Sequence, residues 1–195
     1  MMVGGLSPWA GTAPQPAAVA APDRLPPVPR LAQGQTPPIT LERARPTRID
    51  IADLGVHADI TDVGLEPDGT IEVPDLSSPD LTGWFELGPS PGEVGPAAIV
   101  GHVDSRRSGA AVFYPLGGIT AGTRIEVTRA DGAVAVFTVD LVESYDKDDF
   151  PYDAVFADTG YPSLRLITCG GSFDRLRGSY THNVVVYATL STVQR

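Results

Sequence analysis

Residues 123–145 read TRIEVTRADGAVAVFTVDLVESY. On both sides of Asp131-Gly132, short apolar residues alternate with charged or polar ones. A period of two is that of a strand with one buried face. Asp-Gly is a strong hairpin signal, because the glycine supplies the positive φ that the tight turn requires. Two strands joined by a turn are therefore expected here, and the same pattern recurs on either side. Upstream, RIDIADLGVHADITDVGLE (48–66) alternates short apolar runs with polar residues, and PDGTIEVP (67–74) is a turn followed by a strand. PAAIVGHVDS (96–105) is a buried-type run that ends in polar residues. Downstream, SLRLITC (163–169) and NVVVYATLS (183–191) supply two more strands. The total is seven to nine strands with no long amphipathic helix. Helical turns are expected near PDLSSPDLTGWFELG (74–88) and SRRSGAAVFYPLGG (105–118). The fold class is all-β, a closed or nearly closed barrel around a single core.

Bulk properties narrow the possible functions. The chain has 195 residues, 42% of them hydrophobic, which suffices for one domain with a real core. A net charge of −10 argues against nucleic acid as partner, since phosphate binding needs clustered Lys and Arg. The same charge gives no attraction to anionic lipid. One cysteine, Cys169, excludes an intramolecular disulfide framework. Residues 1–45 differ from the rest. TAPQPAAVAAPDRLPPVPRLAQGQTPP (12–38) is crowded with Pro and Ala, a composition that blocks helix continuation and strand pairing and predicts an extended linker or stalk. Residues 46–195 are the expected folded domain. No apolar run is long enough to span a bilayer, and MMVGGLSPWAG (1–11) lacks the basic start and apolar centre of a signal peptide.

The chemistry-bearing residues stand at strand ends. His102 follows the apolar run AAIVG, and Cys169 ends LRLIT at the equivalent point of a later strand. Two such ends meet if they share one rim of a barrel. A cysteine nucleophile needs thiolate character, which a nearby cation promotes. Arg175 and Arg177 follow within one loop, and a guanidinium also suits the oxyanion of a tetrahedral intermediate. Gly170 and Gly171 allow a close backbone approach. Taken singly, each residue has a plainer explanation. A lone cysteine after a strand is more often a small buried hydrophobe, and an arginine pair in a loop is usually solvated. His57 and His182 are read as structural or surface residues. Asp104 either orients His102 or caps the following turn, with the cap favoured. Asp146, Asp148 and Asp149 match no metal loop and read as a solvated acidic turn.

Several segments taken together change the odds. LITCGGSFDR (166–175), followed by Tyr180, Asn183 and VVVYA, resembles the carboxy-terminal signature of class F sortases, cysteine transpeptidases of actinobacterial surfaces. IVGHVDS with GAAVFYPLGGITAGTRIEV resembles their histidine-bearing segment, and KDDFPYDAVF (147–156) the loop before the catalytic strand. The likeness spans about residues 46–192. It implies an eight-stranded sortase barrel with a Cys–His–Arg site: Cys169 as nucleophile, His102 as acid and base, and Arg175 as the arginine, with Arg177 as the alternative. Many sortases carry that arginine at the start of the last strand, where this chain has Asn183. Thr168, Gly170 and Asp104 are the expected substrate contacts, and neither a metal nor a cofactor is expected. The resemblance further implies cleavage of an LPxTG-like signal between Thr and Gly and transfer of the acyl group to an amine. That amine would come from a peptidoglycan cross-bridge or a pilin lysine, and the enzyme would be a monomer at the cell surface, membrane-associated. A cysteine endopeptidase and a catalytically silent binding domain are the alternatives.

Overall fold

A computed structural model describes residues 39–105 and 109–195. The expected Pro/Ala-rich stalk up to residue 38 and the segment 106–108 lie outside the described residues. Among the described residues there are ten strands: β1 (Pro46–Ile51), β2 (Val56–Val63), β3 (Thr82–Phe85), β4 (Gly95–Gly101), β5 (Asp104–Ser105), β6 (Gly109–Ala110), β7 (Arg124–Arg129), β8 (Val134–Asp146), β9 (Pro162–Asp174) and β10 (Ser179–Gln194). Eight of them close a barrel in the order β1-β2-β3-β4-β9-β10-β8-β7, and β5 and β6 pair separately. The all-β barrel expected from the pattern is what forms.

The Asp131-Gly132 turn joins β7 to β8. Gly132 has a φ of 83°, and the Arg129 amide donates to the Ala133 carbonyl across the turn at 2.9 Å. Alternation then sets the faces. In β7, Ile125 and Val127 point inward, with Phe137 and Ala135 facing them from β8. The barrel interior gathers Ile49, Ile51, Ile99, Phe113, Leu164 and Leu166, all essentially inaccessible to water. Each such side chain contributes about 1.5–3 kcal/mol on leaving water. β4 carries residues buried on both faces, as expected for a strand paired in parallel with β9 in the middle of a sheet.

The structure departs from the sequence expectations in three places. Residues 74–88 contain hydrogen-bonded turns but no helix, and Thr82–Phe85 is a strand; four residues are too few to show a period. The helical turn expected in 105–118 is present as a 3-10 turn at Tyr114–Gly118, whereas the strand expected in PDGTIEVP (67–74) is not formed, Ile71 making only an isolated bridge to Leu65. The interior is accompanied by a second, smaller apolar cluster outside the barrel. There Val155, Val185 and Tyr187 pack with Phe150, Phe156 and Ile167. Residues 147–156, which include a 3-10 turn at Lys147–Asp149 and one helical turn at Tyr152–Val155, lie over the outer face of β8, β9 and β10. Arg165 ties this cover down, donating to the Val155 carbonyl at 3.0 Å and stacking on the Tyr187 ring.

Residues 39–45 have no regular structure but are held to the barrel. Leu41 packs against the core, and the Arg43 guanidinium lies over the Trp84 ring. The fully buried Arg129 donates to the Glu42 and Pro91 carbonyls and pairs with Asp131 at 2.9 Å. A buried guanidinium is tolerated only with such partners.

Candidate active site

Strand direction places the site. β4 runs parallel to β9, with Val100 opposite Ile167. β10 runs antiparallel to both β9 and β8. The carboxyl ends of β4, β9 and β8 therefore share one rim of the barrel. Gly101 ends β4 and delivers His102 there. Cys169 lies on β9 opposite Asn183, and His182 of β10 faces both Gly170 and Asp146. Thr168 links two of these ends, its hydroxyl donating to the Gly101 carbonyl at 2.8 Å. Gly101 has to be glycine, because a Cβ would sit 2.6 Å from the Phe113 ring.

At this rim lies an open cleft of about 500 Å³ lined by His102, Asp104, Cys169, Phe173, Ser179 and Tyr180, among others. His102 is half-buried, with Nε2 2.6 Å from the Pro74 carbonyl oxygen. A carbonyl only accepts, so Nε2 carries the proton and Nδ1 is the lone-pair nitrogen of the neutral ring. Asp75, in the same loop as Pro74, accepts from the Ser77 amide at 2.7 Å. That backbone bond, with a smaller contribution from His102, holds its carboxyl below the ordinary carboxylate value. Tyr180 donates its hydroxyl to the Asp104 carboxylate. Burial, reinforced by Asp104, pushes the Tyr180 phenol well up, so it remains a protonated donor.

Cys169 is half-buried. Its sulfur accepts a hydrogen bond from Lys147 Nζ at 3.4 Å, and the same ammonium donates to Ser179 Oγ at 2.9 Å. Lys147 follows the last residue of β8, and the 3-10 turn that aims it is capped by Asp146, whose side chain accepts from the Asp148 amide at 2.8 Å.

Of the residues singled out in the sequence, His102, Cys169 and Asp104 meet in the cleft. Asp104 accepts from the Tyr180 hydroxyl, and the turn it was expected to cap lies in the segment outside the described residues. Thr168 is buried and bonded to β4, outside the cleft lining. Gly170 is buried in β9 opposite His182. Gly171 takes a φ of 75°, and a Cβ there would meet the His182 ring at 2.4 Å. Arg175 is exposed and outside the cleft lining. Arg177 is also outside it, held by the Asp148 carboxylate at 2.8 and 3.0 Å. Asp146 and Asp148 of the acidic turn are thus occupied by a backbone amide and an arginine. His57 of β2 pairs with Asp50 of β1, and His182 Nδ1 lies 2.7 Å from Thr181 Oγ1. Sequence reasoning missed Lys147, whose signal was that it is the only lysine in the chain.

Comparisons with known proteins agree with this geometry. Residues 49–191 match the family described as Sortase domain. No curated protein sequence matches the chain. Among solved structures, sortase A of Listeria monocytogenes is similar at 16% identity and a TM-score of 0.58, over 78% of this chain and 90% of the other. Sortase A of Corynebacterium diphtheriae gives 22% and 0.56, over 77% and 62%. A Clostridium perfringens sortase D5 transpeptidase gives 23% and 0.55, over 76% and 79%.

Proposed function

The chain belongs to the sortase family of cysteine transpeptidases, and on that premise we propose that it is a class F member cleaving an LPxTG-like signal between Thr and Gly. Cys169 is the nucleophile and His102 the general acid and base. The thiol proton passes to His102 Nδ1, and the sulfur attacks the threonine carbonyl carbon. The oxyanion that forms is met by Arg175, which turns inward from its exposed position when peptide binds. Collapse breaks the C–N bond, His102 protonates the departing glycine amine, and a thioester remains on Cys169. An incoming amine gives its proton to His102, attacks the thioester and releases the thiolate. Asp104 and Gly170 bound the substrate channel, and Thr168 acts from beneath by holding Cys169 against β4.

The observation that carries this reading is that the parallel pairing of β4 and β9 brings His102 and Cys169 to one cleft. Sortases generally act at the cell surface. We therefore assign the substrates to surface proteins bearing the signal, and the acceptor to a peptidoglycan cross-bridge amine or a pilin lysine. Residues 46–195 are the catalytic domain, the preceding residues are its stalk, whose end at 39–45 is held against the barrel, and the domain works as a membrane-associated surface monomer. A fluorogenic LPxTG peptide assayed with and without oligoglycine tests the activity. Cleavage by the wild type, loss of cleavage in Cys169→Ala and a new peptide–glycine product are expected. Cleavage persisting in Cys169→Ala would refute the reading. Cleavage yielding only the free acid, with glycine ignored, would make the protein an endopeptidase.

A further inference from the structure

The chain holds 14 Lys and Arg residues together, and only one of them, Lys147, is lysine. That one lysine is in contact with the one cysteine. Its ammonium donates to Cys169 Sγ at 3.4 Å and is steadied by Ser179 Oγ at 2.9 Å. Lys147 is half-buried and does not line the cleft, whereas Cys169 and Ser179 do. The ammonium thus contacts the sulfur without itself lining the cleft.

Three features make this contact more than incidental. The backbone delivers it: Lys147 follows β8 at the barrel rim shared with Cys169, and Asp146 caps the turn that aims it. No arginine lines the cleft among the described residues, and Arg177 is held away by Asp148. A compact ammonium on a thin stem also reaches a sulfur where a planar guanidinium would need a wider slot.

We propose that Lys147 is a catalytic residue whose ammonium stabilises the thiolate of Cys169. The inference rests on the reading of Cys169 as nucleophile. Lys147 keeps its three protons throughout. When the thiol proton moves to His102, the negative charge on sulfur faces a fixed positive charge. When sulfur attacks the peptide carbonyl, that charge moves to the oxyanion, and it returns to sulfur when the thioester is aminolysed. Lys147 is thus matched to the two states in which sulfur is anionic, and the oxyanion is left to a different group. Its protonation also protects the intermediate. A neutral amine this close to the thioester would itself capture the acyl group, whereas an ammonium has no lone pair with which to attack.

The test is iodoacetamide alkylation of Cys169, the only thiol in the chain, followed by intact mass against pH for the full-length protein and its variants. Lys147→Met keeps the stem and removes the charge. At neutral pH it is expected to alkylate about tenfold more slowly, with the half-maximal pH displaced upward. Lys147→Arg keeps a charge but not the compact head, and is expected to alkylate between the wild type and Lys147→Met. Ser179→Ala, which frees the ammonium from its anchor, should fall between wild type and Lys147→Met. If Lys147→Met folds poorly by circular dichroism, Lys147→Gln supplies the same comparison. An alkylation profile in the uncharged variant that superimposes on the wild type overturns the proposal. So does an acyl group found on Lys147 after incubation with an LPxTG peptide, because that would make Lys147 an amine nucleophile. The alkylation arm needs no peptide, so a wild type that cleaves no sorting signal would count against the proposed substrate and leave the lysine result standing.

Discussion

At the scale of single residues, the site separates into groups held in place and groups left free to move. His102 has one nitrogen committed to the Pro74 carbonyl, and Tyr180 is committed to Asp104. Arg177 is engaged twice by Asp148 and lies 3.8 Å from Asp174, while Arg175, two residues past cleft-lining Phe173, is exposed. An arginine that meets an oxyanion has to be available when substrate arrives, which favours Arg175. Arg175→Ala is expected to lower kcat/KM by about 10²–10³-fold, the range for losing an oxyanion donor, with Arg177→Ala close to wild type. Steady-state peptide cleavage measures both, and the reverse order would transfer the role to Arg177. The sequence named His102 and Cys169 because each stands where an apolar run turns polar. Lys147 was not legible in that way. It lies in an acidic turn, 22 positions before the cysteine, and its relation to the sulfur exists only once β8 and β9 are aligned through β10.

At the scale of elements, β4 and β9 matter most, because their parallel pairing decides whether the histidine and the cysteine meet. The Thr168 hydroxyl fastens their ends by its bond to the Gly101 carbonyl. Thr168→Val keeps the shape and leaves that carbonyl without its partner. Unfolding by urea should show a loss of about 1–2 kcal/mol, and kcat/KM should fall while KM changes little, because the loss is of alignment. Unchanged kinetics would mean that β4 and β9 hold their register without Thr168. The hairpin at Asp131-Gly132 was legible because its signal is local: a period of two on each side and a turn residue between. β3 was not, since its four residues pair in parallel with β2 and antiparallel with β4 through contacts distant in sequence. The cover formed by residues 147–156 was hidden for a related reason. Val155 and Phe156 look like any short apolar pair until the outer face of β10 presents Val185 and Tyr187 to them.

At the scale of the whole molecule, barrel closure collects chemistry that the sequence disperses. His102 and Lys147 follow the ends of β4 and β8 while Cys169 lies within β9, and the shared direction of these three strands brings all three to one rim. The fold class could be read from periodicity, but the choice of rim could not, because it depends on which strands pair in parallel. The most direct measurement of the central claim is the intact mass of the full-length protein after brief incubation with an LPxTG peptide at limiting acceptor. The account predicts an adduct equal to the peptide up to its threonine, carried on Cys169, released by hydroxylamine and absent from Cys169→Ala. Peptide cleavage without any such adduct, and undiminished in Cys169→Ala, would contradict it.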